Sequence, residues 1–152
     1  NLSGEAYMAF CALIKVCFSD IDYAWIMYYP RFLHYFHVAL EELFAAELGI
    51  GYSKLLIEHR IGFPTVHLKT DFSKPINYGD EIEVKVTVRK VDRTSITWGY
   101  RVYKPEAPGK VVAEGQNVTV TVNLDTYEKM ETPGWLRQRL KDYKRRSEDE
   151  SS

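Results

Sequence analysis

"PRFLHYFHVALEELFAAELGIG", residues 30–51, decides the fold. Phe32, Leu33, Phe36, Leu40, Leu43, Phe44 and Leu48 recur at three- and four-residue intervals, the stripe of a helix that buries one face. Pro30 suits the first turn, where its missing N–H would have no acceptor anyway. Gly49 is placed to take the left-handed conformation that stops a helix. The spacing predicts a helix from about Pro30 to Leu48, a rod of roughly 28 Å.

Downstream, the hydrophobic period changes from helical to two. Ile82, Val84, Val86 and Val88 alternate with Glu81, Glu83, Lys85 and Thr87. Ile96, Trp98, Tyr100 and Val102 alternate with Thr97, Gly99 and Arg101. Val118, Val120, Val122 and Leu124 alternate with Thr119, Thr121 and Asn123, and the valines are expected to face the core. "NYGD", "KVDRTS" and "PEAPGK" read as turns. Strands of this length span roughly 33 to 40 Å, enough to curl around the rod. Upstream, Phe10–Phe18 is nearly all apolar and predicts a strand buried on both faces, followed by a loop over 19–29. A short helix, about Pro133 to Tyr143, is expected before a polar tail from about 144 that frays. One long apolar helix with several antiparallel strands makes an α+β layer pair in a single domain over 1–152.

Composition narrows the function. The 152 residues carry 20 Lys+Arg against 21 Asp+Glu, so no broad nucleic-acid face is expected. The apolar run from Tyr7 to Phe18 is short and carries Lys15, so no membrane span is expected, and it lacks the marks of a signal peptide. Cys11 and Cys17, six apart and without metal-ligand spacing, read as reduced core thiols of a cytoplasmic protein. The start at Asn1 reads as a truncated one.

"FSDIDYAWIMYYPRFLHYFHVALEELF" resembles the N-terminal signature of hot-dog acyl-CoA thioesterases, of the 4-hydroxybenzoyl-CoA and Tol-Pal-associated types. "GFPTVHLKTDFSKPINYGDEIEV", "VRKVDRTSITWGYRV" and "VVAEGQNVTVTV" continue the resemblance over about 13–140. It implies a long central helix wrapped by an antiparallel sheet of five or six strands. It also implies acyl-CoA hydrolysis without metal or cofactor, in a homodimer or homotetramer with sites between subunits. The second carboxylate of D-x-D, Asp22, is then the catalytic group, as nucleophile or general base. The backbone N–H of Tyr29 polarises the thioester carbonyl. That role fits the unpaired N–H groups and positive dipole end of a helix start.

The chain departs from its relatives at "DYAW". Tyr23 and Trp25 stand where relatives have proline or small residues, and the Trp25 indole is expected to narrow the acyl pocket. His37 stands where the hydroxybenzoyl-specific enzyme has an acid that binds the ring hydroxyl, which points away from 4-hydroxybenzoyl-CoA. Lys90, Arg93 and Lys74 are candidates for the CoA phosphates, against the ordinary reading of solubilising strand-end charges.

Other residues carry two readings each. Asp20 is a second acid or a partner of the loop backbone. Glu41 and Glu42 are helix glutamates able to act as the base, or an ordinary wet face. His34 and His37 share a helix face, but no further ligand at metal spacing accompanies them. His59 and His67 lie in no motif, and Tyr28 and Tyr29 read as packing or a stacking platform. The competing functions are release of a chain from an acyl carrier protein, acyl-CoA binding without turnover, and, least supported, a hot-dog dehydratase.

Overall fold

The structure, a computed structural model, describes residues 10–15, 29–77 and 79–151, with side chains at 10–15, 34–77 and 79–148. Helix α1 (Tyr29–Glu47) is the expected rod. Tyr35, Phe36, Ala39, Leu40, Leu43, Phe44 and Leu48 are all buried. Gly49 adopts φ +69°. The Ile50 N–H then reaches back to the Phe44 carbonyl at 3.3 Å, closing the helix.

Five strands form one antiparallel sheet: β1 (Phe10–Lys15), β3 (Thr65–Phe72), β4 (Glu81–Val91), β5 (Ser95–Lys104) and β6 (Ala107–Val120), in the order β1-β4-β5-β6-β3. A small second sheet pairs β2 (Ile61–Gly62) with β7 (Val122–Asn123). The sheet closes on α1 through aromatic contacts. The Phe36 ring lies 5.0 Å from Tyr100, and the Phe44 ring 5.9 Å from Trp98. Burying a side chain such as Phe44 contributes roughly 1.5–3 kcal/mol. This is the hot-dog arrangement of one central helix and a wrapping sheet.

The alternation of β4 and β5 is as read: Ile82, Val84, Val86, Val88, Ile96, Trp98, Tyr100 and Val102 are all buried. The turns also hold. Gly79 sits at φ +87°, and the Asp92 N–H meets the Ser95 carbonyl at 2.9 Å.

Four expectations are corrected. The strand expected to be buried on both faces is an edge strand, where Ala12 is buried but Leu13 is 59% exposed. Cys11 faces outward and is exposed, so it is not a core thiol; Cys17 lies outside the described residues. From the end of β6 into β7 the phase is the reverse of the reading: Asn117, Thr119 and Thr121 are buried, while Val118, Val120 and Val122 are only half-buried. The inward threonines have partners: the Trp98 indole N–H donates to Thr119 Oγ1 at 3.0 Å, and the Thr121 and Thr132 hydroxyls meet at 2.7 Å. Finally, the short last helix and frayed tail are one helix, α3 (Gly134–Ser151). Leu136, Leu140, Tyr143 and Ser147 are buried at four-, three- and four-residue steps.

Candidate active site

The first half of α1 borders a cleft of about 520 Å³. Helical spacing places His34, Phe36, His37 and Leu40 on its helix wall. Facing them are Phe63 and Pro64, from the segment after β2, with Thr65 at the start of β3 and Thr119 near the end of β6. The walls are mainly flat and apolar, with hydrogen-bonding groups at a few points.

His37 is held by Glu41 one turn further on, with Nε2 2.7 Å from Oε2. A neutral imidazole that donates from Nε2 keeps Nδ1 as an acceptor. Glu41 is exposed, as the wet-face reading has it, and its carboxylate pairs with a histidine of the cleft. The helix α2 (Tyr52–Ile57) supplies Tyr52, whose ring stands edge-on to His37 at 5.3 Å. Burial, and then the charge of Glu41, push the Tyr52 phenol up to about 12, so it stays protonated through the neutral range. Glu42 is exposed. His34 is exposed at the cleft, His67 is exposed on β3, and His59 packs against Trp135 at 5.6 Å, apart from the site. Among the described residues no three His, Cys, Asp or Glu side chains form a metal-holding group.

Behind the cleft lies a polar row that the sequence reading missed. The Asn117 side chain, fully buried, donates from Nδ2 to Thr65 Oγ1 at 3.4 Å. Its Oδ1 is buried without any partner. Such a group costs about 1–3 kcal/mol. Exchanging the amide's O and N would only move the deficit to the nitrogen. The missed signal was a buried Asn flanked by inward threonines. It was hidden because the valines were assigned to the core.

Asp20, Asp22, Trp25 and Tyr28 lie outside the described residues. The helix starts at Tyr29, so its backbone N–H belongs to the first turn, whose amides have no acceptor within the helix. Lys90 and Arg93 flank the β4–β5 turn. Lys90 pairs with Asp92 at 3.7 Å and Arg93 with Glu131 at 3.5 Å. This turn lies toward the far end of α1: Thr132 donates to the Arg93 carbonyl, and Arg139 reaches the Leu48 carbonyl. Lys74, after β3, contacts Val112 instead and does not join them. Lys90 does meet cations from α3. With Arg89, Lys141, Lys144 and Arg145 it lines a shallow basic groove that also holds Glu148. No motif marked the α3 cations: Lys141 falls at the end of the expected short helix, and Lys144 and Arg145 in the expected tail.

Residues 16–140 match the family described as the thioesterase-like superfamily. The chain belongs to that superfamily. As a hot-dog thioesterase it is a thioester hydrolase, and the described residues contain no helix long and apolar enough to cross a membrane. It is 28% identical over 140 residues to the 1,4-dihydroxy-2-naphthoyl-CoA hydrolase of Picosynechococcus sp., covering 86% of this chain and 93% of that one. A gentisyl-coenzyme A thioesterase structure superposes with a TM-score of 0.74 at 28% identity, over 84% of this chain and 98% of that one. A 1,4-dihydroxy-2-naphthoyl-CoA thioesterase from Synechocystis superposes with a TM-score of 0.77 at 23% identity, over 88% and 96%, a likeness of fold.

Proposed function

We propose that this hot-dog thioesterase hydrolyses the CoA thioester of a hydroxylated aromatic acid, giving the free acid and coenzyme A. The observation that carries the reading is the cleft beside the first half of α1. Its flat walls of Phe36, Leu40, Phe63 and Pro64 suit a ring, while His37, Thr65 and Thr119 suit polar substituents on it. The names of the similar hydrolases, which act on dihydroxylated naphthoyl and gentisyl esters, agree with that shape and polarity.

Asp22 is the proposed catalytic carboxylate. Its oxygen attacks the thioester carbon, and the carbonyl oxygen takes up charge against the Tyr29 N–H and the helix dipole. The C–S bond then breaks, the thiolate leaves, and water hydrolyses the resulting mixed anhydride. In the general-base variant Asp22 instead takes a proton from the attacking water. Trp25 is proposed to narrow the acyl end. Lys90 and Arg93, with the basic groove beside them, are proposed contacts for the CoA phosphates. They sit near the opposite end of the α1 rod from Tyr29, which supports a pair of copies in which one supplies the cations and the other the carbonyl site.

Thiol release from 1,4-dihydroxy-2-naphthoyl-CoA tests the reading. Asp22→Asn is expected to lower kcat by about 100-fold or more while binding survives. Near-full kcat in that variant removes Asp22 from the mechanism. Absence of thiol release by the native protein, across a panel of aryl-CoA esters, sinks the substrate assignment.

A further inference from the structure

The polar row behind the cleft carries two unmatched hydrogen-bonding groups of opposite kind. Asn117 Oδ1 is an acceptor without a donor. Thr119 Oγ1 already accepts the Trp98 indole N–H at 3.0 Å, so its own proton must point elsewhere. Among the described residues that proton meets no acceptor. The two residues are two apart on β6, so both side chains point to one side of the sheet. Thr119 lines the cleft directly, and Asn117 bonds to Thr65, which also lines it.

A group that accepts one hydrogen bond and donates another satisfies both at once. A hydroxyl does this; a methyl, a ring C–H or an ether oxygen does not. An ordered water can hold the place in the empty cleft and leave when a hydroxyl arrives. We propose that Asn117 and Thr119 form the subsite that reads a hydroxyl on the acyl ring. The hydroxyl oxygen accepts from the Thr119 O–H, and its proton goes to Asn117 Oδ1. This rests on the reading of the cleft as an aryl-binding site. It adds the residues that separate a hydroxylated ring from a bare one. The selection is expected to be steep, because a bare ring leaves both buried groups unpaired.

Binding, rather than turnover, tests the subsite. Calorimetry with 1,4-dihydroxy-2-naphthoic acid and 2-naphthoic acid compares the two rings without a chemical step. The native protein is expected to bind the hydroxylated acid about tenfold tighter or more. Asn117→Leu, close in shape and without polar atoms, is expected to abolish that preference while keeping the affinity for 2-naphthoic acid. Thr119→Val is expected to do the same and Thr119→Ser to retain the preference, so the idea stays testable should the leucine variant misfold. Equal affinity of the native protein for both acids overturns the subsite. So does a preference that survives both Asn117→Leu and Thr119→Val, or a parallel loss for both acids in soluble, folded variants. A preference that behaves as expected in a protein that hydrolyses no aryl-CoA ester supports the subsite and sinks only the hydrolytic reading.

Discussion

The two outer strands of the sheet are held in different ways. At β1 a side chain from another element ties the strand to its neighbour. The Tyr143 hydroxyl, from α3, accepts the Phe10 N–H at 2.7 Å and donates to the Val86 carbonyl. Phe10 and Val86 face each other across β1 and β4, so one phenol bridges that seam. At β3, no strand pairs with the outer side among the described residues, and Val66 is 61% exposed. An eight-residue edge left open is a template for another strand. The difference teaches that β1 is fastened to its neighbour from α3, whereas β3 keeps an outer side on which a partner can be proposed. A second copy is the partner proposed above.

The inner side of β3 is seated with little tolerance, and breaking that seat has the largest expected effect. Gly115 of β6 lies opposite Thr70. A methyl at Gly115 would collide with the Lys69 carbonyl oxygen and lie 2.9 Å from Thr70 Cα. Gly115→Ala is expected to cost about 3 kcal/mol, the upper part of the overpacking range, and to loosen the open edge with it. Gly109, also in β6, has nothing within 4 Å of an added methyl. Gly109→Ala is expected to stay within about 0.5 kcal/mol. Urea unfolding of the pair measures the contrast, and equal losses would mean that β3 is not held by this close approach.

At the β1–β4 seam, Tyr143→Phe removes the bridging hydroxyl and leaves a backbone donor and acceptor unmatched. The expected loss is about 2 kcal/mol. The same phenol gives an alkaline signature. Burial, chiefly, holds the Tyr143 pKa above the ordinary tyrosine value of 10.0. As pH rises past about 10 the unfolded chain releases its proton first, so stability is whole below that pH and falls above it. Tyr52, pushed up to about 12, acts in the same direction. Melting curves between about pH 8 and 11 are expected to show a steeper alkaline decline in the native protein than in the Phe variant. Parallel declines would remove Tyr143 as a source.

The same contrast explains what the sequence disclosed. The helix α1 and the strands β4 and β5 were legible because their apolar periods are unbroken and their turns carry Gly79 and Asp92. The phase of β6 was not. Valine and threonine are nearly the same shape, and "NVTVTV" alternates equally well either way. The choice is made by Trp98, whose buried indole N–H needs the Thr119 hydroxyl. The helix α3 was half legible: Leu136, Leu140 and Tyr143 show, but the stripe continues through Ser147, a small polar residue that gives no apolar signal. Of the candidate site, His37 was found at the cleft. Glu41 is exposed as read, but its pairing with His37 was not legible, because sequence shows neighbours on a helix, not which of them share a hydrogen bond. Lys90 and Arg93 were placed together correctly at one turn, but the length of α1 that separates them from Tyr29 follows only from the packing.

The smallest expected effect comes from the open edge itself. Val66 is exposed in the single chain, and in a two-fold seam through β3 each copy contributes the same residue. Val66→Glu removes apolar contact and adds like charges across the seam, where opposed like charges are unfavourable by up to about 1 kcal/mol. Because the position occurs twice, a pair of copies is expected to weaken by about tenfold or more, while the folded single chain, in which Val66 already meets water, changes by less than about 0.5 kcal/mol. Sedimentation across a dilution series reads the association, and urea unfolding reads the chain. The two readouts separate a seam from a core position: a seam residue moves association alone. The charge swap Val66→Lys is expected to weaken the pair similarly, and an equal mixture of the Glu and Lys variants to restore it. Dimers unmoved by either change would place the seam elsewhere than β3, and the open edge would then need another partner.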